Sequence, residues 1–226
     1  DVFGELFFEG EYLNGLKNGK GKIYHNNKLI FEGEYINGKR NGNAKEYEND
    51  KLIFEGNYLN GKKWNGIFFG LNKNDKYELR DGRGFVKEYF DGNLVFEGEY
   101  FNGEKSGKGK EYDKNGTLRF EGEYINGLRH GKGKDYNDKS KLEFDGEYLY
   151  NQKVKGKEYL DGKLEYEGDY LYNKKRNGKG YDKNGNIIYE LNNGNGKVKE
   201  YYPNIGKLKF EGEYLDGKRN GMGKEY

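Results

Sequence analysis

The side chains that most often carry catalysis are scarce in this chain. Its 226 residues include two histidines, His25 and His130, and no cysteine. Ser106, Ser140 and Thr117 supply its only aliphatic hydroxyls. A nucleophilic triad needs a hydroxyl or thiol beside a histidine, and a zinc centre needs several His or Cys ligands. We therefore expect neither a nucleophilic catalytic site nor a metal site.

Paired carboxylates are abundant, but they recur. The tripeptide Glu-Gly-Glu returns along the chain, for example around Gly33 and Gly122. Glycosidases use two carboxylates, but a catalytic pair is needed only once, whereas this pair belongs to a longer repeated phrase. The Gly-x-Gly stretches also lack the Gly-Lys-Ser/Thr ending of a phosphate-binding loop and a following helix. The sequence predicts a non-enzymatic chain with no catalytic residues and no cofactor.

Pairs of basic residues return at one place in the repeated phrase, directly after an Asn-Gly turn or a relative of it. If these turns share one edge of a sheet, they form a basic edge with a pitch of about 9–10 Å, comparable to the Debye length of about 8 Å. Such an edge could bind anionic lipid or an acidic partner, at about 1 kcal/mol per cation near a membrane. Alternatively, the charges only keep a thin sheet soluble. The candidates are Lys39, Arg40, Lys62, Lys63, Arg129, Lys174, Lys175, Arg176, Lys218 and Arg219.

An apolar stretch, KKWNGIFFGLNKNDKYEL, interrupts the pattern and holds the only tryptophan. Exposed apolar patches commonly mark a surface for a partner. Trp64, Ile67, Phe68 and Phe69 are therefore candidates for such a patch. The alternative is an irregular hairpin in which these side chains build a local core.

An internal repeat positions all of these residues. The central glycine of the Phe-Glu-Gly-Glu-Tyr phrase and its variants returns about every 23 residues. Two variants, YELRDG at Tyr77 and YELNNG at Tyr189, fill the longer gaps and carry Leu79 and Leu191 at the glycine position. Ten units thus fill the chain, and a period of this length indicates a repeat array. The marker glycines are Gly10, Gly33, Gly56, Gly98, Gly122, Gly146, Gly168 and Gly212.

Each unit is predicted to be one β-hairpin. In its first strand Phe31, Gly33 and Tyr35 share one face, because alternate residues of a strand point to opposite faces. Asn-Gly and Asp-Gly pairs separate the strands and favour tight hairpin turns. We expect a neighbouring unit's ring to lie over each marker glycine. We also expect the acidic first strands to pair with the lysine-rich second strands, at about 0.2–1 kcal/mol per pair.

The two variant units have the same spacing and are shorter than the others. The turn between their strands is four residues shorter than in a unit such as Phe120 to Tyr136. The variants, at Tyr77 and Tyr189, lie five units apart. This spacing predicts a higher-order period of five hairpins, four long and one short.

The composition limits the class of protein. Hydrophobic residues make up 32% of the chain and aromatic residues 17%, so we expect small local cores rather than one deep core. The net charge is +2, which does not favour a nucleic-acid partner. No apolar run approaches the length that spans a bilayer. We expect one continuous array over residues 1–226, taken from a longer protein, and a cytoplasmic location with association to membrane or cytoskeleton.

The phrases FEGEYINGKRNGNAKEY and FEGEYINGLRHGKGKDY resemble MORN (membrane occupation and recognition nexus) repeats. The family pattern is an aromatic-Glu-Gly-Glu-aromatic start, an Asn-Gly-Lys-Arg-His/Asn-Gly turn and a Gly-x-Gly strand. This chain departs from it by Tyr in place of a frequent Trp, and by Leu79 and Leu191 in place of glycine. The resemblance implies an all-β fold, an elongated single-sheet antiparallel meander or solenoid of about ten hairpins.

The resemblance also implies a scaffold or interaction module. Its expected partners are a protein, a second copy of the chain through dimerisation, or a membrane surface. One alternative is a cell-surface or carbohydrate-binding aromatic repeat, although sites of that kind usually use several Trp and Tyr. Another alternative is a repeat region attached to an enzyme domain outside this sequence.

Overall fold

The structure is a computed structural model that describes residues 6–72, 74–202 and 207–226. The described residues form twenty β-strands and no helix. The strands are β1 Phe8–Leu13, β2 Leu16–His25, β3 Lys28–Ile36, β4 Lys39–Glu48, β5 Lys51–Leu59, β6 Lys62–Phe69, β7 Lys76–Leu79, β8 Gly84–Phe90, β9 Asn93–Phe101, β10 Glu104–Tyr112, β11 Leu118–Ile125, β12 Leu128–Tyr136, β13 Leu142–Leu149, β14 Gln152–Leu160, β15 Lys163–Leu171, β16 Lys174–Tyr181, β17 Ile187–Leu191, β18 Gly196–Tyr201, β19 Leu208–Leu215 and β20 Lys218–Glu225. The predicted all-β meander of hairpins is confirmed.

The chain divides into two compact units, residues 1–116 with 125–127, and residues 117–124 with 128–226. In the first unit β1 to β7 form one seven-stranded sheet in chain order, followed by β8, β9 and β10. In the second unit β11 to β17 also lie side by side in chain order, and β18 to β20 form a three-stranded sheet. Each strand therefore pairs mainly with its neighbours in sequence.

The turn inside each long hairpin explains the Asn-Gly pairs. In the β3–β4 hairpin Asn37 and Gly38 have φ of 49° and 79°. A two-residue turn that follows the strand twist needs positive φ at both central positions, and asparagine and glycine tolerate it best. After this turn Tyr35 lies opposite Arg40, but Gly33 lies opposite Ala44. Strand β4 therefore contains two extra residues, which form a bulge.

The core lies on the face that carries Phe, Gly and Tyr. Phe31 and Tyr35 are 1% and 4% exposed, and their rings meet edge to face with centroids 5.6 Å apart. The ring over each marker glycine is not a neighbouring unit's, as we expected, but the unit's own. A Cβ added to Gly122 would lie 2.7 Å from Cζ of Phe120, two residues earlier in the same strand. Two residues apart on a strand share a face, so the bare glycine leaves room for the ring to fold over it.

The opposite face of each sheet carries the predicted Glu–Lys pairs. Lys45 lies across from Glu55 with Nζ and Oε1 3.2 Å apart, and Lys87 lies 3.1 Å from Glu97. Tyrosines at the ends of the second strands also reach this face. The Tyr47 hydroxyl donates to Glu32 at 2.6 Å. Glutamates of first strands thus pair with lysines of adjacent second strands, as predicted.

The two short units interrupt the hydrogen-bonded ladder. Between β7 and β8, and again between β17 and β18, a single bridge replaces it, Arg80 to Arg83 and Asn192 to Asn195. Leu79 and Val86 are 1% and 0% exposed at positions where the long hairpins pair glycine with glycine. Their side chains fill the core where bare glycines would let strands approach. The two interruptions coincide with the two short units and are therefore five hairpins apart.

Candidate interaction surfaces

In eight hairpins the residue at the second position after the turn is a cation that lies over the aromatic face of its own hairpin. Arg40 is the cross-strand partner of the buried Tyr35, and its guanidinium carbon is 3.9 Å from the centre of the Phe31 ring. Cations over aromatic faces are attracted by the ring quadrupole. The same contact recurs for Lys17, Arg40, Lys63, Lys105, Arg129, Lys153, Lys175 and Arg219, at 3.9 to 4.9 Å from the ring of their own unit.

Half-buried carboxylates join several of these cations to a neighbouring hairpin. The carboxylate of Glu46 on β4 lies 2.8 Å from Arg40 Nη1 in its own unit and 2.8 Å from Lys63 Nζ in the next. It also accepts a hydrogen bond from the Tyr58 hydroxyl of the next unit. We call this arrangement the carboxylate clamp. It links consecutive hairpins across the core face.

The charges of the clamp are held firmly. Burial alone would raise the pKa of Glu46, but Lys63, Tyr58 and Arg40 hold it below its ordinary value. Burial, with the adjacent Glu46 carboxylate, raises the pKa of the Tyr58 hydroxyl far above its ordinary value. Both groups therefore keep their hydrogen bond over a wide range of pH.

Related clamps recur along the chain. In each, a carboxylate near the end of one hairpin meets a cation, a tyrosine hydroxyl, or both from the core face. These clamps join Glu88 with Lys105 and Tyr100, Asp135 with Arg129 and Tyr148, Glu158 with Lys153 and Lys175, and Glu200 with Arg219 and Tyr214.

This geometry corrects half of the predicted basic edge. Arg40, Lys63, Arg129, Lys175 and Arg219 lie over rings and in clamps rather than on a free edge. Across a two-residue turn, the second residue after the turn is the cross-strand partner of the tyrosine before it, so both side chains point to the same face. This register could have been read from the sequence, and it would have predicted the inward position of these cations. The other five candidates, Lys39, Lys62, Lys174, Arg176 and Lys218, are exposed.

A row of exposed apolar side chains accompanies the outward cations and was missed at the sequence level. In the eight long units, the residue directly before the turn is Leu, Ile or Phe, and it is 36% to 56% exposed. Ile36 pairs with Lys39 across the turn, Leu59 with Lys62, and Leu171 with Lys174. We call these apolar residues, the turns and the outward cations the turn edge. The apolar members are Leu13, Ile36, Leu59, Phe101, Ile125, Leu149, Leu171 and Leu215.

Hydrogen bonds join each of these turns to the turn of the preceding hairpin. The amide of Gly61 donates to the carbonyl of Arg40 at 2.8 Å, and the amide of Asn60 donates to Asn41 Oδ1 at 3.0 Å. Gly38 and Asn37 repeat this pattern toward the preceding hairpin. The asparagine after the basic pair is therefore a structural acceptor. The turn edge is a line of fixed positions rather than a set of independent loops.

The apolar stretch around Trp64 lies mostly inside the fold. Phe68 is 3% exposed, and its ring is 5.0 Å from that of Phe54. The Trp64 ring packs against Gly82 of the short turn, and its carbonyl accepts the Gly82 amide at 2.7 Å. Ile67 and Phe69 are half-buried. Because Phe68 fills the core, the four side chains do not form the expected exposed patch.

The seven-stranded sheet also carries a groove of about 600 Å³ on its charged face. Its floor is the cross-strand row of Gly21, Gly33, Ala44, Gly56 and Gly66, and lysine, glutamate and asparagine side chains line its walls. Wall residues pair with one another, as Lys45 does with Glu55 at 3.2 Å.

Two other properties limit what the described residues can do. They contain no group of three or more His, Asp or Glu side chains placed to hold a metal ion. Nor does that part of the chain form a long apolar helix of the kind that crosses a bilayer.

Comparison with known proteins identifies the repeated unit. The family model for the MORN repeat matches residues 8–28, 31–50, 96–118, 120–134 and 210–226. The matched segments occur across the chain, and they include the first strand, turn and second strand of the β3–β4 hairpin. No curated protein matches the chain.

Proposed function

We propose that this chain, which belongs to the MORN repeat family, is a non-enzymatic interaction module that binds anionic membrane surfaces through the turn edge of its seven-stranded sheet. The observation that carries the proposal is the recurrence, on consecutive stacked turns, of an exposed aliphatic side chain beside an outward lysine. Ile36 with Lys39 and Leu59 with Lys62 are two neighbouring examples. Leu13 and Leu16 continue the row at the preceding turn.

The chemistry of this edge suits the boundary between lipid headgroups and acyl chains. Each lysine near an anionic surface contributes about 1 kcal/mol. An aliphatic side chain that becomes fully buried contributes about 1.5–3 kcal/mol, and partial insertion contributes less. Lys62 also lies 3.0 Å from Glu104, an interaction that reduces its contribution. Binding should therefore be weak for one hairpin and should increase with the number of turns in contact.

Two features support a role without catalysis. The carboxylates that recur on the core face are held in clamps, with Glu46 bonded to Arg40, Lys63 and Tyr58. Those on the opposite face pair with lysines of adjacent strands. Both sets stabilise the repeat structure, and an interaction role needs nothing further from them.

Co-sedimentation with vesicles tests the proposal. We expect the protein to bind vesicles that contain phosphatidylserine, less strongly as salt rises, and not to bind neutral vesicles. Replacing Ile36 and Leu59 by Ser, or Lys39 and Lys62 by Gln, should each weaken binding. Lys22→Gln and Lys45→Gln on the charged face are the matched control. Equal binding by the edge and control variants, or no binding by the parent at low salt, would contradict the proposal.

A further inference from the structure

Two of the ten turns between first and second strands depart from the Asn-Gly or Asp-Gly pattern. In the β13–β14 hairpin the turn is Tyr150-Asn151, and in the β15–β16 hairpin it is Tyr172-Asn173. The tyrosines have φ of 50° and 51°. A bulky side chain is disfavoured in this left-handed region because its Cβ crowds the carbonyl oxygen. Backbone strain that a structure retains is often associated with function.

The asparagines of these two turns have a structural explanation. Oδ1 of Asn151 accepts the amide of Arg129 at 2.8 Å, and Oδ1 of Asn173 accepts the amide of Lys153 at 2.7 Å. Elsewhere a strand asparagine such as Asn41 accepts the amide of the next turn instead. In these two hairpins the accepting asparagine therefore lies in the turn, whereas in hairpins such as that of Asn41 it lies in the strand. This difference does not require a tyrosine at the first turn position, where the other eight turns have Asn or Asp.

The two tyrosine rings lie at the surface of adjacent hairpins. Tyr150 is 54% exposed and Tyr172 is 70% exposed. Their turns are two strand spacings apart, about 9–10 Å. Leu149 and Leu171 are exposed next to them. The ring of His130 lies 5.1 Å from that of Tyr150 and supports it from one side. Together these side chains form an aromatic and aliphatic ridge.

A cavity of about 290 Å³ adjoins Tyr172. Lys174 and Arg176 line it and form no ion pair within the described residues, whereas Lys175 between them is engaged 3.0 Å from Glu158. Both cations line this one cavity, so both can contact a single ligand. The lining residues are Leu171, Tyr172, Lys174, Arg176, Asn193 and Asp216, with Lys175 and Gly194.

We infer that this ridge and cavity bind a short acidic segment of a partner protein. Its carboxylates would pair with Arg176 and Lys174, since a guanidinium presents a donor fork that matches a carboxylate. An apolar or aromatic side chain would pack on Tyr150 and Tyr172, and Tyr and Arg are the residue types most enriched where interfaces concentrate their affinity. A peptide side chain can enter this cavity, whereas a flat membrane surface cannot. The site lies in the second unit and is independent of the proposed membrane edge in the first.

A random peptide library displayed on phage and selected on the whole chain tests this inference. We expect the selected peptides to be rich in Asp and Glu around an apolar or aromatic residue. Synthetic copies should bind about thirtyfold more weakly to Tyr172→Asn and to Lys174→Gln/Arg176→Gln, as for the loss of an interface hot spot. Lys218→Gln changes an exposed cation outside the cavity and should have little effect.

The tyrosine variants also carry a signature that simple misfolding would not produce. Asparagine suits the left-handed turn position better than tyrosine, so Tyr150→Asn and Tyr172→Asn should raise the melting temperature while they weaken peptide binding. No enrichment of acidic peptides, or equal binding by parent and Tyr172→Asn, would overturn the inference. So would loss of vesicle binding in Tyr172→Asn with peptide binding intact, because the ridge would then belong to a membrane surface. A failure of vesicle binding alone leaves the peptide result unaffected.

Discussion

Replacing Glu46 by Gln tests whether the carboxylate clamp holds adjacent hairpins together. The carboxylate is 13% exposed and meets Arg40, Lys63 and Tyr58. The substitution keeps the size of the side chain but removes the charge that both cations face.

The expected cost follows from these contacts. A hydrogen bond to a charged group is worth about 1.5–3 kcal/mol, and breaking a fully buried ion pair costs about 3–5 kcal/mol. The side chains of Arg40 and Lys63 are 31% and 20% exposed, so water can partly replace the lost carboxylate. We therefore expect a loss of about 2–3 kcal/mol in the free energy of unfolding.

Chemical denaturation followed by circular dichroism measures this loss, with Glu48→Gln on the same strand as the matched control. Glu48 makes no ion pair within the described residues, so its replacement should cost less than about 0.5 kcal/mol. A double-mutant cycle with Tyr58→Phe should show coupling of about 1 kcal/mol, since Tyr58→Phe removes the hydrogen bond and Glu46→Gln removes the charge that strengthens it. Equal stability of Glu46→Gln and Glu48→Gln would refute the clamp.

Three further outcomes are expected. Gly122→Ala should lower the free energy of unfolding by about 3 kcal/mol, because its Cβ would lie 2.6 Å from the Lys132 carbonyl oxygen and 2.7 Å from the Phe120 ring. The control is Gly185→Asn, at a turn residue with φ of 84° and no atom within 4 Å of an added Cβ. This control should be nearly neutral in the same thermal melt. The pKa values of Glu46, Glu158 and Glu200 are lowered in the folded state. Their contribution to stability is therefore present above the unfolded-state pKa and is lost as pH falls through the folded-state pKa. The free energy of unfolding should thus depend less steeply on acid pH in Glu46→Gln than in the parent, and an unchanged slope would contradict the assignment. Burial, and to a smaller extent a hydrogen bond to glutamate, raises the pKa of Tyr47 and Tyr136 to about 12. Stability should therefore fall as pH rises above about 10, because tyrosines of the unfolded chain ionise before those of the folded chain. Tyrosinate absorbance that rises well before unfolding would contradict this expectation.

Much of the fold was predictable because the same turn residues and the same alternation of apolar residues recur in most long units. Asn37-Gly38 fixed a two-residue turn, and the alternation of Phe31, Gly33 and Tyr35 fixed the buried face. The inward position of Arg40 over the Phe31 ring was not anticipated, although it followed from the register of that same turn. The sequence alone did not indicate that each ring covers its own glycine, because strand parity gives the face of a side chain but not its rotamer.

The interaction surfaces were harder to predict for a different reason. Exposure depends on how tightly the sheet closes around its aromatic residues, and composition does not report this. Phe68 therefore looked like a candidate for a surface patch yet lies in the core, while the exposed Ile36 and Leu59 were not singled out at all. The strained conformation of Tyr172 became visible only once the turn was assigned.

Site-specific fluorescence at the turn edge tests the proposed function most directly. The chain has no cysteine, so a single Ile36→Cys or Lys22→Cys variant can be labelled uniquely with a polarity-sensitive dye. The account predicts that anionic vesicles shift the emission of the dye at position 36 to the blue, and that salt reverses the shift. The dye at position 22, on the charged face of the same sheet, should remain in water. Equal shifts at both positions, or a shift at position 22 alone, would contradict the assignment of membrane binding to the turn edge.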